Sequence, residues 1–305
     1  MEKNIKVKNQ EDTTRIDRWL KRKYNSLSQG FIENKLRRGL IRVNKKIIKS
    51  SYRVIVGDVI SIKEFSSNDY YLVIKPIVKK FIPTKILSKF KQSILYNCSS
   101  FMIVNKWNGI LTQGASKVSL SINDIIKKIS GNYNIVHRLD KDTSGLLIIS
   151  KNYKSTRVFA KLFKDRLIEK TYFAICHGEP RSLESTINLK MNYQNKKIET
   201  ITKYKVIKKF NKYSLILFKP LTGKMHQLRK VSKYLTCPIV GDTKYNNNIT
   251  IKEGLMLNAC YLKFFYNNYQ YEFNSVLPRK MINYMKKKHL TIPNNSKIIS
   301  LSKSF

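Results

Sequence analysis

The sequence predicts an α+β protein in two parts, a small basic unit followed by a larger domain built on a mixed sheet. The chain of 305 residues has room for a catalytic domain of roughly 200 residues together with a smaller module. Residues 15–63 show two helical patterns followed by short alternating strands. From residue 93 onwards, strand patterns outnumber helical patterns, and the two are interleaved irregularly. That order favours a mixed sheet over a doubly wound parallel sheet.

Two helices come first in the small unit. Ile16, Trp19 and Leu20 share one helical face of RIDRWLKRKY. In the next pattern, Ser28 is the expected N-cap and Gly39 the expected stop. The segment LIRVNKKIIKSSYRVIVGDVISI then alternates apolar and polar residues, which predicts short strands.

Composition places the domain boundaries. The small unit occupies residues 12–75, and residues 76–92, with Pro and Lys and little periodicity, are expected to form a linker. The larger domain occupies residues 93–278. Residues 279–305 hold seven Lys or Arg and no acid, so we expect a basic, partly disordered tail.

Apolar spacing predicts the elements of the larger domain. The predicted helices are SLSINDIIKKIS, STRVFAKLFKDRL and MHQLRKVSKYL. The predicted strands include LLIISKN, KTYFAICHG and KYSLILFKP.

The charge of the chain indicates a polyanionic partner. Sixty Lys and Arg face 19 Asp and Glu, which gives a net charge of +41, and nucleic acid is the partner that this surplus favours. Coding bias towards Lys, Asn, Ile and Tyr is the alternative source of some of these lysines.

Other features of the sequence argue against a metal-binding, a membrane-spanning or a secreted protein. The four cysteines, Cys98, Cys176, Cys237 and Cys260, form no CxxC pair, so reduced thiols are expected rather than a metal site. No apolar run approaches the length of a transmembrane helix, and the first fifteen residues lack the apolar core of a secretory signal. We expect a cytoplasmic monomer that does not bind membranes.

The small unit resembles the S4 (alpha-L) RNA-binding domain. The matching residues are Arg15-Ile16-Asp17, the segment GLIRVN at 39–44, and Gly57-Asp58. The alternative is a basic mini-domain that only stabilises its neighbour. If the resemblance holds, the RNA contacts are expected at Arg15, Arg37, Arg38, Arg42, Lys45 and Lys46.

The segment HRLDKDTSG, residues 137–145, places two carboxylates before a buried strand. Its basic residues favour the ionised form of Asp140 and Asp142, and an ionised carboxylate in a basic cleft can act as a nucleophile or general base. A surface loop of salt bridges that caps the strand explains the same spacing equally well.

This segment is similar to the signature of the RluA family of pseudouridine synthases, HRLD, two variable residues, then TSG. Three further family segments follow in order: EKTYFAICHG at 169–178, LTGKMHQLRK at 221–230 and CPIVGDTKYN at 237–246. The resemblance implies a catalytic domain on a mixed, mainly antiparallel sheet with flanking helices. It also implies isomerisation of RNA uridines to pseudouridine without a cofactor.

The resemblance implies a role for each matched residue. Asp140 is the catalytic aspartate, Tyr172 lies against the target base, and Arg229 pairs with the catalytic carboxylate. Leu228 is an apolar wall of the pocket. Arg138 fills the stack that an extruded uridine leaves, beside His137, which is also expected to contact RNA. At a variable family position, Asp142 takes a structural or electrostatic role.

Some segments refine this expectation and others depart from the family pattern. The loop QGASKVSLS at 113–121 is similar to the corresponding loop of the subgroup that acts on 23S RNA of the large ribosomal subunit. The expected substrate is therefore this RNA, either free or within assembly intermediates of the subunit. Where the family usually has Lys-Pro-x-Gly, this chain has KWNG at 106–109. The usual Gly-Arg-Thr is replaced by GKM at 223–225, and Asn258 occupies a position where the family frequently has His. These departures affect the expected RNA contacts.

Two other functions fit parts of the sequence. A non-catalytic RNA-binding or ribosome-assembly factor would bind RNA with steep salt dependence but form no product. A metal-dependent nuclease would use Asp140, Asp142 and Asp242.

Overall fold

A computed structural model describes residues 2–8, 13–71, 81–114, 119–193, 196–246 and 254–305. The chain divides into two compact units, Met1–Lys79 and Lys80–Phe305, called here the amino-terminal and carboxy-terminal units. Residues 76–80 of the expected linker and 115–118 of the QGASKVSLS loop lie outside the described residues.

The amino-terminal unit packs two helices against a small antiparallel sheet whose strand order is β1-β3-β2. Its elements are β1 Lys3–Lys6, α1 Ile16–Lys23, α2 Gln29–Arg37, β2 Ile41–Val43 and β3 Val59–Ile62. The predicted helical face is confirmed, because Ile16, Trp19 and Leu20 are all buried in the core of this unit.

The predicted ends of α2 are also confirmed. The Ser28 hydroxyl accepts the N–H of Phe31 at 3.2 Å, and Gly39 follows the helix with φ of +68°. Asp58, buried beside β3, accepts hydrogen bonds from the Asn44 amide and the Tyr52 hydroxyl. Asp58 of the S4-like pattern therefore holds the loops around this sheet.

In the described residues of the carboxy-terminal unit, ten strands form one sheet. The main path is β4-β5-β7-β12-β8-β11-β10-β9, with β13 paired to β12 and β6 to β7. The strands are β4 Ile94–Asn97, β5 Phe101–Lys106, β6 Asn134–Ile135, β7 Ser144–Ser150, β8 Glu169–His177, β9 Glu184–Tyr193, β10 Lys196–Phe210, β11 Tyr213–Pro220, β12 Leu257–Tyr266 and β13 Tyr269–Asn274. Only the pairing of β7 with β12 is parallel among these described strands, so the predicted mixed, mainly antiparallel sheet is confirmed.

Helices pack around this sheet. They are α3 Thr84–Gln92, α4 Ile122–Ile129, α5 Tyr153–Lys164, α6 Gln227–Tyr234, α7 Arg279–Lys287 and α8 Asn295–Lys303. The three helices predicted from apolar spacing correspond to α4, α5 and α6. A capping box between Ser121 and Asp124 starts α4.

Two expectations about the ends of this unit are wrong. Within the expected linker, residues 84–92 form α3, whose Phe90 is buried in the core. The expected disordered tail forms α7 and α8, and Met281 and Met285 are fully buried against the sheet. The apolar face of each segment is buried against the unit, and this burial stabilises helices that their basic composition obscured.

None of the helices in the described part of the chain is long and apolar enough to cross a membrane.

Candidate active site

A cleft of about 1120 Å³ opens in the carboxy-terminal unit where the HRLD loop meets β8, the end of β11 and the start of α6. It brings together the six residues that the sequence predicted in this unit. These are His137, Arg138, Asp140, Tyr172, Leu228 and Arg229. The six predicted RNA contacts of the other unit lie within that unit and are described below.

The loop that carries Asp140 is fixed from beneath by two buried side chains. The Lys106 ammonium donates to the carbonyls of Trp107, Ile110 and Lys141 at 2.9–3.1 Å. Burial lowers the pKa of Lys106 to about 7, against the charges of Asp142 and Asp140. Three carbonyl acceptors need three donated protons, so we expect the ammonium form to persist in this site.

Thr112 and Leu139 form a second clamp next to Asp140. The Thr112 hydroxyl donates to the Leu139 carbonyl at 2.7 Å and accepts its N–H at 3.1 Å. This reciprocal pair is buried and fixes the backbone one residue before the carboxylate.

The TSG turn is fixed by close contact between β7 and β12. Gly145 pairs with Ala259 at φ of +109°, and a Cβ there would collide with the Ala259 backbone. Beside it, the Asn258 amide donates to the Ser144 hydroxyl at 2.9 Å and accepts from Ser275 at 2.8 Å. Asn258, in place of the usual His, therefore holds this turn through a satisfied buried network.

Asp140 is half-buried on the cleft wall, with 23% of its side chain exposed. Its Oδ2 atom lies 3.8 Å from Nε2 of His226. Asp142, by contrast, is exposed, and its charge opposes the burial that lowers the pKa of Lys106 and Lys280. The two carboxylates of the signature therefore occupy different environments, which agrees with the electrostatic role expected for Asp142.

Tyr172 lies on β8, opposite Ala259 and Phe218 of the neighbouring strands. Burial raises its pKa well above the usual tyrosine value, and the negative charge of Asp140 adds to this effect. Its hydroxyl therefore stays protonated at neutral pH and its ring contributes an apolar face to the cleft. Leu228, 6% exposed at the start of α6, lines the same cleft.

Arg229 does not pair with Asp140 as expected; it pairs with Asp242. Its Nε and Nη2 atoms donate to Oδ2 and Oδ1 of Asp242 at 2.8 and 2.7 Å. Burial by itself would lower the pKa of Arg229. The hydrogen bonds and charge of Asp242 have the larger combined effect and raise the pKa, and the charge of Asp140 adds a smaller increase. Arg229 thus supports the site as one half of an ion pair whose field reaches Asp140.

His137 is held inside the wall of the cleft as a neutral side chain. Its Nε2 accepts the N–H of Ile148 at 2.8 Å, and its ring stacks on Phe163 at 4.7 Å. Burial lowers its pKa to about 3, with help from the charge of Lys170. The neutral ring therefore adds no positive charge beside Asp140 at neutral pH.

Basic side chains line the cleft. Arg138 is exposed, which suits the RNA contact predicted for it. The other lining cations are Lys164, Arg166, Lys170, Lys219, Lys224 and Arg229. Of the nuclease candidates, Asp242 is committed to Arg229, and no group of three His, Cys, Asp or Glu in the described residues could hold a metal ion.

The predicted contacts of the amino-terminal unit are exposed to different extents. Arg37, Arg38, Lys45 and Lys46 are exposed, whereas Arg42 is half-buried and donates to the Gly39 carbonyl at 2.9 Å. Arg15 forms an ion pair with buried Asp17 at 2.7 Å, so part of its charge is already matched.

The sequence did not assign roles to Lys106, Thr112, His226 and Tyr245. Lys106 ends the apolar strand FMIVNK, and a lysine in such a strand is a signal of a satisfied buried ammonium. His226 and Tyr245 stood inside matched motifs, but their contact depends on the return of the chain after α6. No local spacing could reveal it.

Comparison with known proteins identifies the family of this chain. A model of the RNA pseudouridylate synthase family matches residues 100–234, and the S4 domain model matches residues 14–60. Ribosomal large subunit pseudouridine synthase C of Rickettsia felis is 39% identical over 256 residues, which cover 77% of this chain and 82% of the relative. The chain belongs to the RNA pseudouridylate synthase family.

More distant proteins share the family assignment and the fold. The protein of the same name from Buchnera aphidicola of Acyrthosiphon pisum is 29% identical, over 77% of each chain. The solved structure of human RNA pseudouridylate synthase domain containing 4 superposes with a TM-score of 0.59 at 22% identity, covering 69% of this chain and 98% of that one. The solved structure of human RNA pseudouridylate synthase domain containing 1 superposes with a TM-score of 0.57 at 22% identity. It covers 70% of this chain and 95% of that one. This enzyme therefore consists of an S4 domain followed by a pseudouridine synthase domain.

Proposed function

We propose that this synthase isomerises uridines in the 23S RNA of the large ribosomal subunit, with Asp140 as the reacting carboxylate and no cofactor. One observation carries the assignment of Asp140. Its carboxylate is half-buried in a cleft lined by cations, next to an apolar wall formed by Tyr172 and Leu228. An aspartate in this setting can meet a single base extruded from RNA.

The reaction itself makes a cofactor unnecessary. The N1–C1′ bond of uridine breaks, the base turns, and a C5–C1′ bond forms, while the C5 proton leaves and N1 gains a proton. Atoms and electrons balance without an oxidant or reductant. A carboxylate that attacks the sugar or base, or removes a ribose proton, supplies what the step requires.

The neighbours of Asp140 suit the turning of the base. Because Tyr172 stays protonated, we assign it to holding the base by its ring and hydroxyl rather than to acting as a phenolate base. Leu228 closes the apolar side of the cleft. We assign Arg138, which is exposed and lines the cleft, to the stack that the uridine leaves.

The RNA target rests on the similar proteins and on charge. The relatives named above are ribosomal large subunit pseudouridine synthases C. A net charge of +41 and an S4 domain with exposed Arg37, Arg38, Lys45 and Lys46 suit a large folded RNA. Pseudouridine mapping of ribosomal and transfer RNA, with and without this enzyme, tests the target. Sites only in transfer RNA would contradict it.

The signature itself offers a matched pair of variants that tests Asp140. We expect Asp140→Asn to lower tritium release from RNA labelled at C5 of uridine by at least about a hundredfold. Asp142→Asn should keep most activity because Asp142 is exposed outside the cleft lining. Both variants should bind RNA with similar affinity. Product formation by Asp140→Asn, or equal losses in the two variants, would overturn the assignment.

A further inference from the structure

His226 has an unusual backbone and an aimed side chain. It occupies the N-cap position of α6 in the left-handed region, with φ of 55° and ψ of 25°, and its side chain makes no cap hydrogen bond. A left-handed conformation is uncommon outside glycine and is unfavourable for a residue with a side chain. The surroundings must therefore stabilise a ring that is directed into the cleft rather than onto its own helix.

The His226 ring lies between two groups. Its Nδ1 atom is 3.0 Å from the Tyr245 hydroxyl, and its Nε2 atom is 3.8 Å from Oδ2 of Asp140. We propose that Tyr245 and His226 form a positioning pair for Asp140, in which the hydroxyl donates to Nδ1 and the Nε2–H is held towards the carboxylate. This inference rests on the proposed function of Asp140.

The tautomer follows from the charge next to Nε2. If Nδ1 carried the proton, the lone pair of Nε2 would face the Asp140 carboxylate, which is repulsive. With the proton on Nε2, the ring dipole is attractive to the carboxylate and Nδ1 becomes an acceptor. Tyr245 must then donate, and burial raises its pKa, so its hydroxyl keeps the proton it donates.

Burial keeps the His226 ring neutral despite the nearby carboxylates. Burial lowers its pKa, Arg229 and Lys244 act in the same direction, and Asp140 and Asp242 oppose them. A neutral ring leaves the negative charge of Asp140 available for chemistry while still orienting it. At 3.8 Å the contact is longer than a hydrogen bond, and such contacts in free enzymes often shorten when substrate binds.

Tyr245 is itself fixed by the turn that holds Arg229. Its N–H donates to Oδ1 of Asp242 at 3.0 Å, and its ring lies 5.1 Å from the Arg229 guanidinium. The ring also meets His226 edge-on, with the ring centroids 5.7 Å apart. Asp242 and Tyr245 therefore hold Arg229 and His226, two residues that line the cleft.

Nuclear magnetic resonance of imidazole nitrogens tests the tautomer directly. The chain has four histidines, and His226→Gln identifies the signal of His226. We expect this signal to show the neutral Nε2–H form at pH 7, and Tyr245→Phe to shift it towards a mixture. A dominant Nδ1–H form, a doubly protonated ring, or no response to Tyr245→Phe would overturn the proposal.

Kinetics of the same variants test the positioning role. We expect Tyr245→Phe to lower the single-turnover rate by about tenfold to a hundredfold, with unchanged RNA affinity. In the His226→Gln background it should cause no further loss, because the two side chains act as a unit. Additive losses, or no loss, would contradict the pair. Tyr234→Phe, at the exposed end of α6, is the matched control and should keep the normal rate.

The two assays separate this inference from the proposed function. The nitrogen signal reports how the His226 ring lies between Tyr245 and Asp140, and it does not depend on catalysis. If Asp140→Asn formed product while the Nε2–H form persisted in the unaltered enzyme, the role of Asp140 would be wrong and the geometry of the pair would stand. If instead the His226 signal showed the Nδ1–H form while Asp140→Asn formed no product, the positioning pair would be wrong and the role of Asp140 would stand.

Discussion

Arg229 and Asp242 form a buried bidentate ion pair at the edge of the cleft. The two hydrogen bonds measure 2.8 and 2.7 Å, and the side chains are 11% and 1% exposed. Asp242 also accepts the backbone N–H groups of Lys244 and Tyr245. Burial alone would raise the pKa of Asp242, but these donors lower it, so the carboxylate stays ionised.

We expect Asp242→Asn to unfold more easily and to lose activity. The change keeps the shape but leaves Arg229 buried without its counter-charge, and breaking such a pair costs about 3–5 kcal/mol. The two tryptophans, Trp19 and Trp107, lie in different units, so a Trp19→Phe background lets fluorescence report urea unfolding of the carboxy-terminal unit.

Glu184→Gln supplies a matched control for that variant. Glu184 pairs with Lys205 at 3.3 Å, but 66% of its side chain is exposed, so solvent screens the pair. Its free energy of unfolding should remain close to that of the parent. Equal stability of the Asp242 and Glu184 variants would contradict the structural importance of the buried pair.

The partner of Arg229 marks what sequence could and could not predict in this site. The motifs predicted Asp140, Tyr172, Leu228 and Arg229 as site residues, and all four line one cleft. Each lies in or next to a strand or helix with a clear sequence pattern. The pairing was wrong because Asp242 comes from a turn beyond α6. Which of two acids meets a guanidinium depends on that turn, not on spacing within either motif.

We expect acid to weaken the fold through His137. Its pKa falls from 6.5 to about 3 on folding because the ring is buried. The unfolded chain therefore binds the proton first, so stability is full above pH 6.5 and is lost as the pH falls below that value. The loss should reach at most about 1.4 kcal/mol per pH unit.

Urea unfolding of the parent and of His137→Gln, from pH 7 to pH 5, measures this contribution. Glutamine can still accept the Ile148 N–H but does not titrate. Other groups with shifted pKa values, including His226, contribute to both proteins, so the difference isolates His137. Parallel pH profiles would contradict the assignment of a buried neutral histidine.

We expect Arg37 and Arg38 to contribute directly to the salt dependence of RNA binding. Both are exposed on the amino-terminal unit, and each phosphate contact on single-stranded or duplex RNA adds roughly 0.7–0.9 to the slope of log affinity against log salt. The Arg37→Ala/Arg38→Ala pair should reduce the slope by about 1.5. Lys128→Ala, exposed on α4, should leave it unchanged. An unaltered slope in the double variant would place the RNA elsewhere.

The ends of the carboxy-terminal unit show a different limit of sequence patterns. The segments of α3, α7 and α8 are dominated by lysine and by isolated apolar residues, so composition suggested a linker and a tail. Their apolar residues nevertheless fall on one helical side and complete a core that the sheet alone leaves open. A lysine-rich composition indicates that a segment is soluble. Whether the segment folds depends on whether the apolar face of its helix is buried against the rest of the unit.

We therefore expect a chain ending at Pro278 to lose its folded carboxy-terminal unit. Met281, Met285 and Ile298 are at most 4% exposed, and removing one such side chain alone costs about 2–5 kcal/mol. Losing all three approaches the 5–15 kcal/mol that typically stabilises a domain. Near-ultraviolet circular dichroism and heating should show lost packing, with Met285→Ala intermediate and exposed Lys287→Ala close to the parent. If the shortened chain melted at the same temperature as the full chain, α7 and α8 would not contribute to the stability of this unit.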